Sequence, residues 1–160
     1  MNGISVIEER LSLKEYVDFL IRTDLGSQYP RERFLERVDT LLKRASISLS
    51  ARDGEKLVGV CLAITDFAYW MFITDLGVDR EYVKRGIGRR LMNEALKAAG
   101  GQENINVYTC ANEGAVGFYE KLGMKRAGND VMEYCHAEWT GFTVDNSIWT
   151  REYTGEGTDQ

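Results

Sequence analysis

The chain has 160 residues, 44% of them hydrophobic and 28% charged, with a net charge of −5, a balance typical of one soluble globular domain. The acidic balance argues against general nucleic-acid binding, which needs a basic surface, and it mildly favours cationic substrates. No stretch approaches the roughly 20 apolar residues of a membrane span, and the charged N-terminus lacks a signal-peptide core, so we expect a cytoplasmic protein without a membrane partner.

Two amphipathic helices are predicted before any strand. Ser12 and Glu15 form a capping-box pattern, and apolar residues recur behind it at helical spacing, which predicts a helix over 12–24. After a loop, Pro30 stands where a helix can begin. The apolar stripe that follows predicts a second helix that ends near residue 44.

The pattern then changes to strands. Alternating apolar residues predict a strand over 46–52, Asp53-Gly54 predicts a hairpin turn, and residues 56–65 supply the partner strand. Residues 69–78, YWMFITDLGV, are an almost unbroken apolar run, which predicts a central strand covered on both faces.

Helices and strands alternate in the rest of the chain. The predicted elements are a helix over 87–99, a strand over 104–111, a short helix over 113–122, and two strands near 124–136 and 144–153. The order α-α-β-β-β-α-β-α-β-β predicts an α/β fold with a mixed sheet of six to seven strands and helices on both faces. Residues 69–111 should form a right-handed parallel crossover. We expect a single domain over 1–153 and a flexible tail over 154–160.

The most informative segment is VKRGIGRR at residues 83–90, which joins the central strand to a helix. Gly86 and Gly88 would let the backbone approach a ligand closely, and the free N–H groups at the helix start favour an anion such as phosphate. The segment matches neither the P-loop pattern nor the G-x-G-x-x-G dinucleotide pattern, and a plain tight turn with solvated basic residues is the alternative. Five basic residues stand together here: Arg80, Lys84, Arg85, Arg89 and Arg90.

A second segment, NEGAVGFYEKLGM at residues 112–124, directly follows a predicted strand. Together with DLGV-x7-GIGRRLM it resembles the GNAT superfamily of N-acetyltransferases, in the family's order and at its usual separation. The resemblance is strong over 57–126 and covers the fold plan of the rest. Where the family's turn usually carries Gln or Arg, this chain has Val83, so backbone N–H groups would supply most of the phosphate binding.

The resemblance implies direct transfer of an acetyl group from acetyl-CoA to a primary amine of a small molecule or peptide, with no metal. It also implies that Tyr119 is the general acid toward the CoA sulfur, for which a packed aromatic role is the alternative. The implied cofactor-binding residues are Leu76, Gly77, Val78, Lys84, Arg85, Gly86, Ile87, Gly88, Arg89, Asn112, Ala115, Phe118 and Tyr119.

The general base is left open by the sequence. Asp75 is the one ionisable residue of the central strand, and a structural hydrogen-bonding role stands beside base duty. Glu133, His136 or a chain of waters are the alternatives. Simple alternation places Asp75 on the face opposite Phe72, unless a bulge interrupts the strand.

The acceptor side of the site is rich in aromatic residues. They could line a pocket for an aromatic or hydrophobic amine, belong to the core, or form a homodimer surface. The residues in question are Tyr29, Phe34, Tyr69, Trp70, Tyr134 and Trp139. A non-catalytic acyl-CoA-binding sensor with the same fold is the competing function, and such a module would have no need for Tyr119.

Overall fold

The computed structural model describes residues 3–27, 29–128, 130–134 and 143–151. Within these residues there are five strands and five α-helices, joined by loops and short 3-10 turns. In chain order they are β1 (Ile4–Glu8), α1 (Leu13–Ile21), α2 (Phe34–Arg44), β2 (Ile47–Asp53), β3 (Lys56–Thr65), β4 (Trp70–Val78), α3 (Ile87–Ala99), β5 (Asn106–Thr109), α4 (Val116–Lys121) and α5 (Ile148–Arg151).

The strands form one mixed sheet in the order β1-β2-β3-β4-β5. The first four strands are antiparallel to their neighbours, whereas β5 pairs parallel to β4 after the α3 crossover. The mixed α/β class is confirmed, and so is the hairpin, in which Asp53 pairs with Lys56 around Gly54 at φ +59°. The sheet has five strands in the described residues, fewer than the six to seven that the sequence predicted.

Helices pack on both faces of the sheet, and each face has its own core. Alternation along β3 divides its side chains: Val60 and Leu62 join the core beneath α1 and α2, while Cys61 and Ala63 join the core beneath α3. We refer to these two sides as the α1 face and the α3 face of the sheet.

Local signals place the helix ends. The Ser12 side chain accepts a hydrogen bond from the N–H of Glu15 at 3.2 Å, as the capping pattern predicted. Gly100 ends α3 with φ +125°, a conformation that favours glycine. The second helix begins at Phe34 rather than at Pro30, because residues 31–33 form a turn.

Three strand predictions need correction. The sequence interpretation missed β1, a short strand at the edge of the sheet beside β2. Residues 124–128 and 130–134 form no strand, and 148–151 form a helix instead of a strand; the remainder of both predicted strands lies outside the described residues. Val144 and Ile148 are 3% and 5% exposed in the core beneath α1; Ile148 begins α5, and Val144 lies in the segment before it.

The central strand β4 is not covered on both faces along its whole length. Met71 and Ile73 are each 1% exposed, but Trp70 and Phe72 are 54% and 39% exposed. No helix in the described residues is long and apolar enough to cross a membrane. The predicted tail over 154–160 lies outside the described residues.

Candidate active site

The predicted glycine turn is the start of α3. Gly86 is the N-cap and adopts a left-handed conformation with φ +78°. No atom lies within 4 Å of the position that a Cβ on Gly86 would occupy, so the turn is open at this point. The first N–H groups of a helix have no intrahelical acceptor, and the helix dipole adds to their attraction for anions. The turn therefore has the geometry of a phosphate site.

The residues beside Gly86 also serve packing. Ile87 is 1% exposed in the core of the α3 face, so its N–H rather than its side chain is available to a ligand. A Cβ on Gly88 would lie 3.1 Å from the ring of Phe118, so glycine lets α4 pack closely against α3. Lys84 has φ +62°, a value uncommon outside glycine, and this turns the chain sharply before the helix.

Of the five basic residues that the sequence grouped at the turn, two direct their side chains to other parts of the protein. Arg80 donates to the carbonyl oxygens of Ile21 and Thr23 at 2.9 and 2.6 Å. Arg90 donates to the carbonyl oxygen of Ile4 at 2.7 Å, on the side of the helix next to β1. The sequence grouped Arg80 and Arg90 with the turn by position alone, and the structure pairs both side chains with backbone carbonyl oxygens. Lys84, Arg85 and Arg89 remain beside the turn, with Arg85 stacked on Tyr82 at 4.7 Å.

A polar clasp joins the end of α1 to the segment that follows β4. Arg22 forms an ion pair with the buried Asp79 at 2.5 Å, and the N–H of Arg80 donates to the carbonyl of Arg22 at 3.0 Å. The side chain of Arg80 also pairs with Asp24 at 2.9 Å. The clasp holds the loop after α1 against the chain that leads into the glycine turn. Sequence reasoning missed it, because residues so far apart in the chain carry no local signal of contact.

Strands β4 and β5 separate beside the turn. Their parallel pairing ends at Ile73 and Thr109, although β4 continues to Val78. Thr109 donates its hydroxyl proton to the carbonyl oxygen of Ile73 at 3.0 Å, at the point where the strands part. Beyond this point the edge of β4 has no pairing with β5, as the family resemblance implied. The residues of this edge are Leu76, Gly77 and Val78.

Tyr119 lies on the α3 face beside this fork. Its helix packs there, since Phe118 approaches Gly88 and Leu122 contacts the core beneath α3. Burial raises the pKa of Tyr119. A hydrogen bond from Thr109 opposes that rise, because the Thr109 hydroxyl can turn its one proton from the Ile73 carbonyl to the phenolate. The phenol is therefore protonated at neutral pH and held at the opening between the strands. Thr109 is a site residue that the sequence analysis did not single out.

A bulge decides where Asp75 points. The pairing of β3 with β4 shifts between Leu62 and Ala63, so that Ala63 lies opposite Ile73 and Leu62 lies opposite Asp75. Because Leu62 belongs to the core beneath α1, Asp75 also faces α1. The bulge thus brings Asp75 to the same face as Phe72, which simple alternation did not predict.

Asp75 is 2% exposed and sits in a buried polar group. The hydroxyl of Tyr29 donates to the Asp75 carboxyl group, and the hydroxyls of Tyr29 and Tyr16 are 3.0 Å apart. Burial, followed by the nearby Asp75 charge, raises the pKa of Tyr16 well above 10. Burial likewise raises the pKa of Cys61 to about 12, so this thiol is no nucleophile at neutral pH.

The other predicted residues are distributed as follows. Asn112 is exposed after β5, and its carbonyl accepts from the N–H of Ala115 at 2.8 Å. Glu133 is exposed, and His136 lies outside the described residues. Of the aromatic residues considered for the acceptor side, Tyr29 and Phe34 belong to the core, Tyr69, Trp70 and Tyr134 are exposed, and Trp139 lies outside the described residues.

The residues present fit a phosphate-bearing thioester of the acetyl-CoA kind. The open N-terminus of α3 suits the pyrophosphate, and the β4 edge beyond Ile73 suits an extended amide chain that pairs with backbone. The phenol of Tyr119 lies near the place where the strands part.

The sequence profile of the Acetyltransferase (GNAT) family matches residues 14–124, more than half of the chain. The chain belongs to the GNAT family of acetyltransferases. It is 30% identical over 93 residues to the GCN5-related N-acetyltransferase 2, chloroplastic, of Arabidopsis thaliana, an alignment that covers 54% of this chain and 36% of the relative. The chain thus covers about a third of the length of that relative.

Solved structures share the GNAT fold. A probable acetyltransferase from methicillin-resistant Staphylococcus aureus superposes with a TM-score of 0.70 and 20% identity, covering 84% of this chain and 99% of the other. The PaiA N-acetyltransferase of Thermoplasma acidophilum, solved in complex with coenzyme A, gives a TM-score of 0.57 at 20% identity, covering 79% and 93%. At these identities the likeness concerns the fold, and this GNAT chain's own substrates have to be argued from its residues.

Proposed function

We propose that this protein transfers an acetyl group from acetyl-CoA to a primary amine by direct attack. The observation that carries the proposal is the fork between β4 and β5, with an open helix N-terminus on one side and the Tyr119 phenol beside it. The coenzyme A complex of the PaiA relative supports a CoA thioester as the donor.

The binding roles follow from the backbone. The N–H groups from Lys84 to Arg89 would hold the pyrophosphate, with the charges of Lys84, Arg85 and Arg89 beside it. The backbone of Leu76, Gly77 and Val78 would pair with the pantetheine arm, and an N–H there would polarise the acetyl carbonyl. Asn112, Ala115 and Phe118 would line the side formed by β5 and α4.

The chemistry requires two proton movements. As the amine nitrogen bonds to the carbonyl carbon and the C–S bond breaks, the nitrogen loses a proton and the thiolate gains one. We assign the donation of that proton to Tyr119, and its phenol, whose pKa burial raises, stays protonated at neutral pH. Asp75 is the described carboxyl group of β4 and is our candidate acceptor for the amine proton, directly or through a water.

One observation favours the competing function, a non-catalytic acyl-CoA sensor. Asp75 is buried and already accepts a hydrogen bond from Tyr29, which suits a structural carboxyl group as well as a base. A sensor would bind acetyl-CoA at the same fork and turn, and it would not depend on the Tyr119 hydroxyl.

A thiol-release assay separates the two functions. Acetyl-CoA is offered with polyamines, aromatic amines, aminoglycosides, amino acids and peptides, using wild type beside Tyr119→Phe. We expect turnover with one acceptor class, and a loss of about 10²-fold or more in kcat for the variant, with unchanged acetyl-CoA binding by calorimetry. Binding without turnover on any acceptor would support the sensor, and absence of binding would refute the assignment of the turn.

A further inference from the structure

A cluster of exposed apolar side chains lies on the α1 face of the sheet, at the end of β4 that the helices leave open. Its members are Ile64, Trp70, Phe72 and Tyr108, exposed by 58%, 54%, 39% and 37%. Cross-strand register places Ile64 opposite Phe72 and Phe72 opposite Tyr108, so these three share one face. The rings of Trp70 and Tyr108 lie 5.8 Å apart. We call these four residues the aromatic platform.

The aromatic platform lies next to Asp75, the candidate base, on the same face of β4. Beyond Asp75, the α1 face of β4 is covered, since a Cβ on Gly77 would lie 2.3 Å from the Leu25 side chain and Tyr29 contacts Asp75. Toward the start of β4 the packing against this face ends, and Phe72, on the same face as Asp75, is exposed. Asp75 therefore stands at the border between a closed core and an open aromatic surface.

The two proton-transfer candidates lie on opposite faces of the sheet. Tyr119 belongs to the α3 face, where Thr109 shares the side of Ile73, whereas Asp75 belongs to the α1 face. If the thiol leaves toward Tyr119, the amine reaches the fork from the Asp75 side. The rest of the acceptor molecule then has to lie against whatever surface adjoins Asp75 on that face, and that surface is the aromatic platform.

We propose that the acceptor is an amine carried on an aromatic or large apolar body, and that Trp70 and Phe72 select it by packing against that body. This inference rests on the proposed acetyltransferase function and names its substrate class. Phe72 and Asp75 lie opposite Ile64 and Leu62, which are two residues apart on β3 because of the bulge. A strand advances about 3.3 Å per residue, so Phe72 lies roughly 7 Å along the sheet from Asp75. That distance fits an amino group separated from a ring by a short linker, as in an arylalkylamine or a peptide that begins with an aromatic residue.

The test compares matched amines. The probes are 2-phenylethylamine, the dipeptide Phe-Gly, n-butylamine and spermidine, each with saturating acetyl-CoA. We expect kcat/KM about tenfold or more higher for the two aromatic amines than for the two aliphatic ones. A preference for Phe-Gly over 2-phenylethylamine would identify a peptide N-terminus as the source of the aromatic amine, and the reverse would identify a small amine.

Variants tie that preference to the platform. Trp70→Thr and Phe72→Thr keep strand-forming side chains, and we expect each to raise KM for the aromatic amine about tenfold and KM for n-butylamine much less, so that the ratio between the two amines falls. Trp70→Phe should restore most of the preference. Ile7→Thr is the matched control, because Ile7 is 40% exposed on β1, three strands away from β4.

Several outcomes would overturn the inference. Equal kcat/KM for aromatic and aliphatic amines in wild type would do so, as would platform variants that weaken both classes equally. A change from dimer to monomer in sedimentation with unchanged amine preference would assign the platform to a second copy of the chain. A large fall in melting temperature with unchanged preference would assign it to internal packing.

The proposed function and this inference fail in different ways. Calorimetry with 2-phenylethylamine in the presence of CoA measures acceptor binding without turnover. Binding that Phe72→Thr abolishes, in a protein that acetylates no amine, would refute the acetyltransferase proposal and leave the platform as an aromatic-amine site. Acetylation of aliphatic amines without aromatic preference would refute the platform and leave the acetyltransferase proposal intact.

Discussion

The buried hydroxyl chain behind Asp75 predicts an unequal pair of stability losses. Tyr29→Phe removes the hydrogen bond to the Asp75 carboxylate, worth about 1.5–3 kcal/mol, together with the contact to the Tyr16 hydroxyl, worth about 1 kcal/mol. Tyr16→Phe removes the second of these and a weaker hydrogen bond between Tyr16 and Asp75. In a domain of this size, a loss of 1 kcal/mol lowers the melting temperature by about 2–4 °C. We therefore expect a fall of about 5–16 °C for Tyr29→Phe and a smaller fall, of about 2–8 °C, for Tyr16→Phe.

Urea unfolding measured at pH 7 gives the two free energies directly. Equal losses for the two variants, or losses below about 0.5 kcal/mol for both, would refute the hydrogen-bonded chain from Tyr16 through Tyr29 to Asp75. A third variant, Asp75→Asn, keeps an acceptor oxygen for Tyr29, so its stability loss should be near 1 kcal/mol while kcat falls about 10²-fold. Retained kcat in Asp75→Asn would assign proton removal to water instead.

Three further predictions concern the cofactor side. Thr109→Val removes the hydrogen bond that opposes the raised pKa of Tyr119. The fall of kcat at alkaline pH, which we expect above pH 10, should therefore move to higher pH. Thr109→Ser keeps a hydroxyl group and should restore the position of the fall. An unmoved alkaline limb would contradict the contact. Arg80→Ala should lower stability by about 1–2 kcal/mol while the acetyl-CoA Kd changes less than about twofold, because Arg80 binds carbonyls at the end of α1. A Kd ten times weaker would show that Arg80 contributes to phosphate binding. Gly86→Ala forces alanine to φ +78° at a cost of about 1–2 kcal/mol, so acetyl-CoA affinity should fall about tenfold by calorimetry. Gly114→Ala, which has open space and no positive φ, is its control and should be neutral.

Local sequence patterns predicted a helix, a hairpin and a helix cap that the structure has. Periodicity predicted α3 at the same bounds that the structure has, and the Asp53-Gly54 signal predicted the hairpin between β2 and β3. The capping pattern at Ser12 placed the start of α1. Caps, hairpins and amphipathic stripes depend on residues within a few positions of one another, so their signals stand in the linear sequence.

Features that depend on contacts between distant residues could not be predicted from local patterns. A bulge between β3 and β4 turned Asp75 to the α1 face, and no local pattern marks an extra residue in a strand. The clasp that diverts Arg80 and the hydrogen bond that brings Thr109 to Ile73 join segments far apart in the chain. The described residues of the segments 124–136 and 144–153 form no strand, although the sequence predicted one in each. Apolar residues in short segments suit either a strand or a helix, and packing against the core beneath α1 selected the helix at Ile148.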